Sequence, residues 1–228
     1  MVNPIIVALD VPTLEEASTL ARLLEDEVGG FKIGMELLMG AGPEAIGSIA
    51  AMGKPVFVDA KLHDIPNTVE RAAARIKAAG ARWVTVHASG GRDMIEAAVR
   101  GMGGRGVLAV TMLTSLAQPD LESIGVPALA SDHVVSLATL AADCKTEGLV
   151  CSPEEIRRVK DKEPSQVVFT PGVRPASSDV DDQRRVATPE RARADGADFL
   201  VIGRPITRAA NPIEAVRDIA TAIGLFER

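Results

Sequence analysis

Pro55-Val56-Phe57-Val58-Asp59, followed at once by Ala60-Lys61-Leu62-His63-Asp64-Ile65-Pro66-Asn67-Thr68, decides how this chain is to be folded. The first part is short, apolar and β-branched, the character of a strand buried on both faces. It ends on a carboxylate, and the charges of Lys61 and Asp64 follow. Asn67 and Glu70 then have the N-cap and third-position spacing of a helix start, which predicts a helix beginning near Asn67.

Working outward, the same unit recurs in both directions. Apolar runs are predicted as strands at 5–9, 30–33, 55–59, 83–87, 107–112, 148–151, 167–170 and 199–202, each followed by helical periodicity. Strands alternating with helices imply right-handed crossovers and a parallel sheet. Eight such units close into a (β/α)₈ TIM barrel more naturally than they form an open sheet, so the α/β chain 1–228 is read as one barrel domain. Helix starts are marked by Thr13 with Glu16, a capping box, and by Ser152-Pro153, Thr188-Pro189 and Asn211-Pro212. Leu14, Ala17, Leu20, Leu24 and Val28 share one face of the first helix. One connection is long: about 17 residues, 171–187, lie between the seventh strand and the helix capped by Thr188, a length usually reserved for functional loops. It carries Arg174, Gln183, Arg184 and Arg185, and the neighbouring eighth strand runs into Gly203-Arg204-Pro205.

The 228 residues carry a net charge of −6, and aromatic residues are only 3% with no Tyr. A phosphate-backbone binder or a base-stacking surface is therefore not expected, and nucleic acid is excluded as a partner. No apolar stretch approaches the roughly 20 residues of a membrane span. Met1-Val2-Asn3-Pro4 lacks the basic region of a secretory signal, and Cys144 and Cys151 have no CxxC spacing, so a cytoplasmic protein with reduced thiols is expected.

Active sites of parallel barrels lie where the strands end. Those ends bring Asp10, Lys32, Asp59, Lys61, Asp64 and His87 to one rim. A single aspartate there often serves only as a helix cap. Four alternating charges, Lys32, Asp59, Lys61 and Asp64, are harder to explain as scaffold, because unpaired charge in a low dielectric is costly. Period-two alternation puts Asp59 and Lys61 on the same side of their strand. With no His pair at ligand spacing and no thiolate cluster, zinc is not expected; magnesium stays open on the residues alone, because carboxylates at strand ends suit it.

Asp59-Ala60-Lys61-Leu62-His63-Asp64-Ile65-Pro66-Asn67-Thr68 resembles the DxKxxDIPxT signature of the orotidine 5′-monophosphate decarboxylases, closest to their bacterial-type subgroup. Ala8-Leu9-Asp10, Phe31-Lys32-Ile33-Gly34, Val86-His87-Ala88-Ser89-Gly90-Gly91, Leu113-Thr114-Ser115, Thr170-Pro171-Gly172-Val173-Arg174-Pro175 and Ile202-Gly203-Arg204-Pro205-Ile206-Thr207 are similar to that family in identity and order. The resemblance implies cofactor-free loss of CO₂ from orotidine 5′-monophosphate in pyrimidine (UMP) biosynthesis. It implies Lys61 as the proton donor to C6, Asp59 beside the substrate carboxylate, Lys32 bridging the charges and the ribose, and Asp10 on the ribose hydroxyls. It further implies that Thr114 contacts the pyrimidine or a lid residue, that Arg174, Gln183, Gly203 and Arg204 hold the phosphate loop closed, and that Asp64, with Ile65 and Thr68, reaches the site of a second subunit in a homodimer. His63 is expected to point away from the mouth, and His87 is given no proton-transfer role.

Two other readings stay open on the residues alone. DxKxxD is shared by magnesium-dependent relatives that stabilise an enediolate, such as 3-keto-gulonate-phosphate decarboxylase and hexulose-phosphate synthase; the Ile65-Pro66-Asn67-Thr68 continuation and the long loop favour the first family. A non-catalytic nucleotide-binding barrel is the other, against which stands the presence of every charge in the network.

Overall fold

Runs of Val, Ile, Leu and Phe that are apolar on both faces must be covered on both, and the chain does this by wrapping its strands into a ring inside a ring of helices. The computed structural model describes residues 3–175 and 186–225. Strands β1 (Ile5–Ala8), β2 (Gly30–Ile33), β3 (Val56–Leu62), β4 (Trp83–His87), β5 (Val107–Val110), β6 (Gly148–Val150), β7 (Val167–Thr170) and β8 (Phe199–Ile202) form a closed barrel in sequence order. All neighbours are parallel, and β8 returns to β1 with Ile5 opposite Leu200. Helices follow each strand, among them Leu14–Leu24, Pro66–Ala78, Arg92–Gly101 and Pro212–Ala222. The expected α/β barrel is therefore the observed one. Among the described residues no helix is long and apolar enough to cross a membrane.

Side chains alternate along each strand, and two cores result. Ile5, Val7, Phe31, Val56, Val58, Val84 and Val86 face the helices. Ile6, Ala8, Phe57, Trp83, Leu108, Val110, Val150, Phe169 and Val201 fill the barrel. The chain has five Phe and one Trp, and four of these six plug the interior. Phe169 stacks on Phe199 at 4.5 Å and meets Trp83 and Phe57 edge-on at 5.1 and 5.5 Å. Such pairs add about 0.5–1.5 kcal/mol each beyond area burial. They also make the barrel solid beneath its charged rim.

Below that plug, Glu147 accepts from the Trp83 indole at 2.8 Å, from the Gly106 amide at 2.9 Å and from both terminal nitrogens of Arg82. Burial pushes its carboxyl up, but the Arg82 and Trp83 hydrogen bonds outweigh this and hold it below the usual range.

Local signals place the helices. Thr13, Thr188 and Asn211 each accept from the amide three residues on, at 3.2, 3.3 and 3.3 Å. Ser152 caps a short 3₁₀ turn, Pro153–Glu155, before the helix Ile156–Lys162 begins. The helix after β3 starts a residue earlier than expected: Pro66 takes its first position, Ile65 precedes it without a side-chain cap, and Asn67 is inside. Proline fixes the helical φ at that point, so it overrides the cap-like spacing of Asn67 and Glu70. Strand ends also shift. β1, β5 and β6 stop one or two residues short of the apolar runs, and β3 continues to Leu62.

Candidate active site

The inward-facing rows of β1 to β4 change character as they climb. Apolar or small residues (Ile6 and Ala8, Gly30, Phe57, Trp83) give way to Asp10, Lys32, Asp59 with Lys61, and Thr85 with His87. Period two thus carries the polar groups to the C-terminal rim, above the aromatic plug.

There the charges interlock. Lys32 Nζ lies 2.9 Å from Asp10 Oδ1 and 3.6 Å from Asp59 Oδ2. Lys61 Nζ lies 2.8 Å from both oxygens of Asp59. Lys32 is buried, and an ammonium there is tolerable only with such partners. Burial would push the Asp59 carboxyl up; Lys32, Lys61 and the hydrogen bonds from Lys61 and Thr85 overcome it and hold Asp59 ionised, below its ordinary value. Gly34 supplies the room: a Cβ on it would stand 2.3 Å from Asp10 Oδ1 and 2.9 Å from Lys32 Nζ.

Simple alternation does not explain how Lys61 reaches Asp59. The register between β3 and β4 shifts between Val58 and Leu62, and Lys61 has φ +46°. A bulge with a left-handed non-glycine residue costs on the order of 1–3 kcal/mol and persists only where its surroundings impose it. Here it aims the lysine across the mouth.

The rim opens on a cavity of about 480 Å³, a size suited to a small ligand. Asp10, Lys32, Asp59 and Lys61 line it together with Arg174, Gly203, Arg204 and Arg208, with Thr114 and Leu113, and with Val110, Val150 and Val201 as apolar lining. Arg174 is buried, and its segment is pinned where the long loop closes: its amide donates to Ala187 O at 3.0 Å, and Ala187 donates to Gly172 O at 3.2 Å. Such a lining can take an anion on the arginines and a reacting group beside the Asp59–Lys61 pair.

Other expected residues lie elsewhere. Asp64, Ile65 and Thr68 are exposed and do not line the cavity of their own chain; Asp64 Oδ1 accepts from the Ile65 amide at 2.6 Å. It is therefore not part of the ionic network within its own chain. Gln183 falls outside the described residues. His87 and His63 face each other with ring centroids 5.4 Å apart, and neither is among the cavity-lining side chains. Burial, and then the proximity of His63 and Lys61, hold His87 below the usual imidazole value and so neutral near pH 7. Among the described residues no three His, Cys, Asp or Glu side chains gather as a metal-ligand group.

Sequence reasoning passed over Thr85, Gly34, Arg208 and the apolar lining. Thr85 was accessible through period two, since it shares the inward row of Trp83 and His87. Gly34 was accessible through the same rule, two residues beyond Lys32.

The chain was compared with known proteins. The profile of the "Orotidine 5′-phosphate decarboxylase / HUMPS family" matches residues 3–219. The orotidine 5′-phosphate decarboxylase of Sphingopyxis alaskensis is 44% identical, covering 98% of this chain and 100% of the relative. That of an Anaeromyxobacter species is 48% identical over 95% of this chain and 96% of its own. The crystal structure of the Lactobacillus acidophilus orotidine 5′-phosphate decarboxylase superposes with a TM-score of 0.86 at 33% identity, covering 97% of this chain and 99% of that one.

Proposed function

Because the chain belongs to the orotidine 5′-phosphate decarboxylase family, it converts orotidine 5′-monophosphate to uridine 5′-monophosphate in pyrimidine biosynthesis, and we propose that it does so without a cofactor, through Asp59, Lys61 and Lys32. The observation that carries this reading is the Lys61 ammonium held 2.8 Å from both Asp59 oxygens at one end of the cavity.

The substrate phosphate sits against Arg174, Gly203 and Arg204, and its ribose reaches Asp10 and Lys32, which puts C6 and its carboxylate beside Asp59 and Lys61. The like charges of Asp59 and the substrate carboxylate repel, and the repulsion falls as CO₂ departs. The C6–carboxylate bond breaks with its electron pair left on C6. Fixed ammonium groups stabilise that charge without reorganising, and Lys61 gives C6 its proton. Solvent then reprotonates the amine. Phosphate binding far from C6 supplies energy to organise the site.

The working form is a homodimer with shared sites. Supporting this, Asp64 and Thr68 stand off their own cavity, and Ile65 between them leaves an apolar side chain 67% exposed, as a residue that meets a partner would. A cytoplasmic location is supported by two buried thiols, Cys144 and Cys151.

The test is decarboxylation of orotidine 5′-monophosphate by protein stripped with EDTA, followed by loss of ultraviolet absorbance. Full activity is expected. Activity restored only by magnesium would overturn the cofactor-free reading and favour the enediolate chemistry of the metal-dependent relatives.

A further inference from the structure

The β3–β4 ladder holds one feature that catalysis by Lys61 and Asp59 does not by itself require. Val58 pairs with Val84 and Leu62 with Val86, so β3 carries three residues, Asp59, Ala60 and Lys61, where β4 carries only Thr85. In that gap the Lys61 amide donates to Thr85 Oγ1 at 2.8 Å, and Thr85 Oγ1 donates to Asp59 Oδ1 at 3.0 Å. Thr85 is wholly buried.

We propose that Thr85 is a positioning residue for the decarboxylation, locking the left-handed backbone of Lys61 and the carboxylate of Asp59 to each other through one hydroxyl. A hydroxyl has a single hydrogen. The Lys61 N–H must donate, so Oγ1 accepts there and its own hydrogen is directed to Asp59. Asp59 accepts it as a carboxylate. Thr85 thus replaces the ladder acceptor that the bulge removes and couples the proton donor's backbone to the neighbouring negative charge. Without it, a half-buried N–H loses its acceptor at a residue whose conformation is already strained, and Asp59 loses a donor that favours its ionised form.

The inference rests on the reading of Lys61 as proton donor, and the experiment separates the two. Thr85→Val keeps shape and strand preference but removes both hydrogen bonds; Thr85→Ser keeps both. Asp59 is otherwise faced by Lys32 from β2, with Asp10 from the loop after β1 beyond it, and by Lys61 on its own strand, with His87 of β4 and His63, just after β3, behind. All of these persist in the variants.

Thr85→Val is expected to lower kcat by about 10- to 100-fold, the value of hydrogen bonds to a charged group, with Kd for uridine 5′-monophosphate little changed. Asp59 must be ionised, so activity falls as pH drops through its depressed pKa; losing the Thr85 donor moves that acid limb of kcat to higher pH. Thr85→Ser is expected to restore both to near wild type. Should Thr85→Val not fold, Thr85→Cys, a weak donor and acceptor of similar size, serves the same comparison. Wild-type kcat and acid limb in the variant, with Lys61→Ala inactive, overturn this proposal alone. Equal losses in the serine and valine variants, with weakened product binding and an unmoved acid limb, reduce Thr85 to scaffold and overturn it too. Full activity in Lys61→Ala overturns both it and the reading beneath it.

Discussion

Lys32 on β2 and Asp10 just beyond the end of β1 meet at 2.9 Å in the space a side chain on Gly34 would fill. The pair fixes where the Lys32 ammonium stands relative to Asp59, 3.6 Å away. Asp10, Lys32, Asp59 and Lys61 together are electrically balanced, two of each sign. A substrate carboxylate entering beside Asp59 tips that balance negative; loss of neutral CO₂ moves the charge to C6, proton transfer from Lys61 leaves the amine neutral, and the balance returns when solvent reprotonates it. Charges held by one another in this way need not reorganise during the reaction, which is the condition under which electrostatic stabilisation is strongest.

The first consequence concerns Lys61. If it is the sole proton donor, Lys61→Ala abolishes turnover while uridine 5′-monophosphate binds nearly as before, because the phosphate and ribose contacts remain. Alanine keeps the Cβ that lysine already carries at φ +46°, so no new backbone strain enters. General acid catalysis contributes ~10²–10⁴-fold. Steady-state rates decide the point: a variant above about a hundredth of the wild-type rate contradicts the role.

The second concerns Arg204, which lines the same cavity as Lys61. A guanidinium fork matches phosphate oxygens, and removing one partner of such a charged pair costs about 2–5 kcal/mol. Arg204→Ala is expected to raise KM for the nucleotide steeply yet leave the slow reaction of the phosphate-free nucleoside almost untouched. Equal losses on both substrates, measured as kcat/KM, would move Arg204 into the scaffold or the chemistry.

How far these residues could be read without coordinates follows from their physics. Strands buried on both faces announce themselves as unbroken apolar runs, so all eight were visible, and the charges ending β1 to β3 stood out against them. Their junctions were less visible. β3 appeared to stop at Asp59 because Ala60-Lys61-Leu62 lacks the glycine that usually marks a left-handed residue. Period two puts Thr85 on the inward row, but threonine in a β-branched run reads first as a strand former, so its hydroxyl was passed over. Asn67 and Glu70 mimicked a cap, while Pro66 had already opened the helix.

The third prediction tests the proposal that each site is shared between two subunits. Asp64 follows the strand end and Thr68 lies in the first turn of the helix that Pro66 begins; both are exposed and neither lines its own cavity. A two-fold dimer repeats any contact in both directions, so a residue that leaves its own site bare can complete its partner's. The experiment mixes two inactive variants, Lys61→Ala and Asp64→Ala, after dissociation and reassociation. If Asp64 acts in trans, the mixed dimer has one site with both lesions and one with neither. Random pairing makes half of the dimers mixed, so about a quarter of the wild-type activity returns. If Asp64 acts in cis, every site keeps one lesion and no activity returns at any mixing ratio. Subunit exchange is verified independently, by native mass spectrometry of isotopically labelled partners, so a failure to recover activity after demonstrated exchange rules out the shared site.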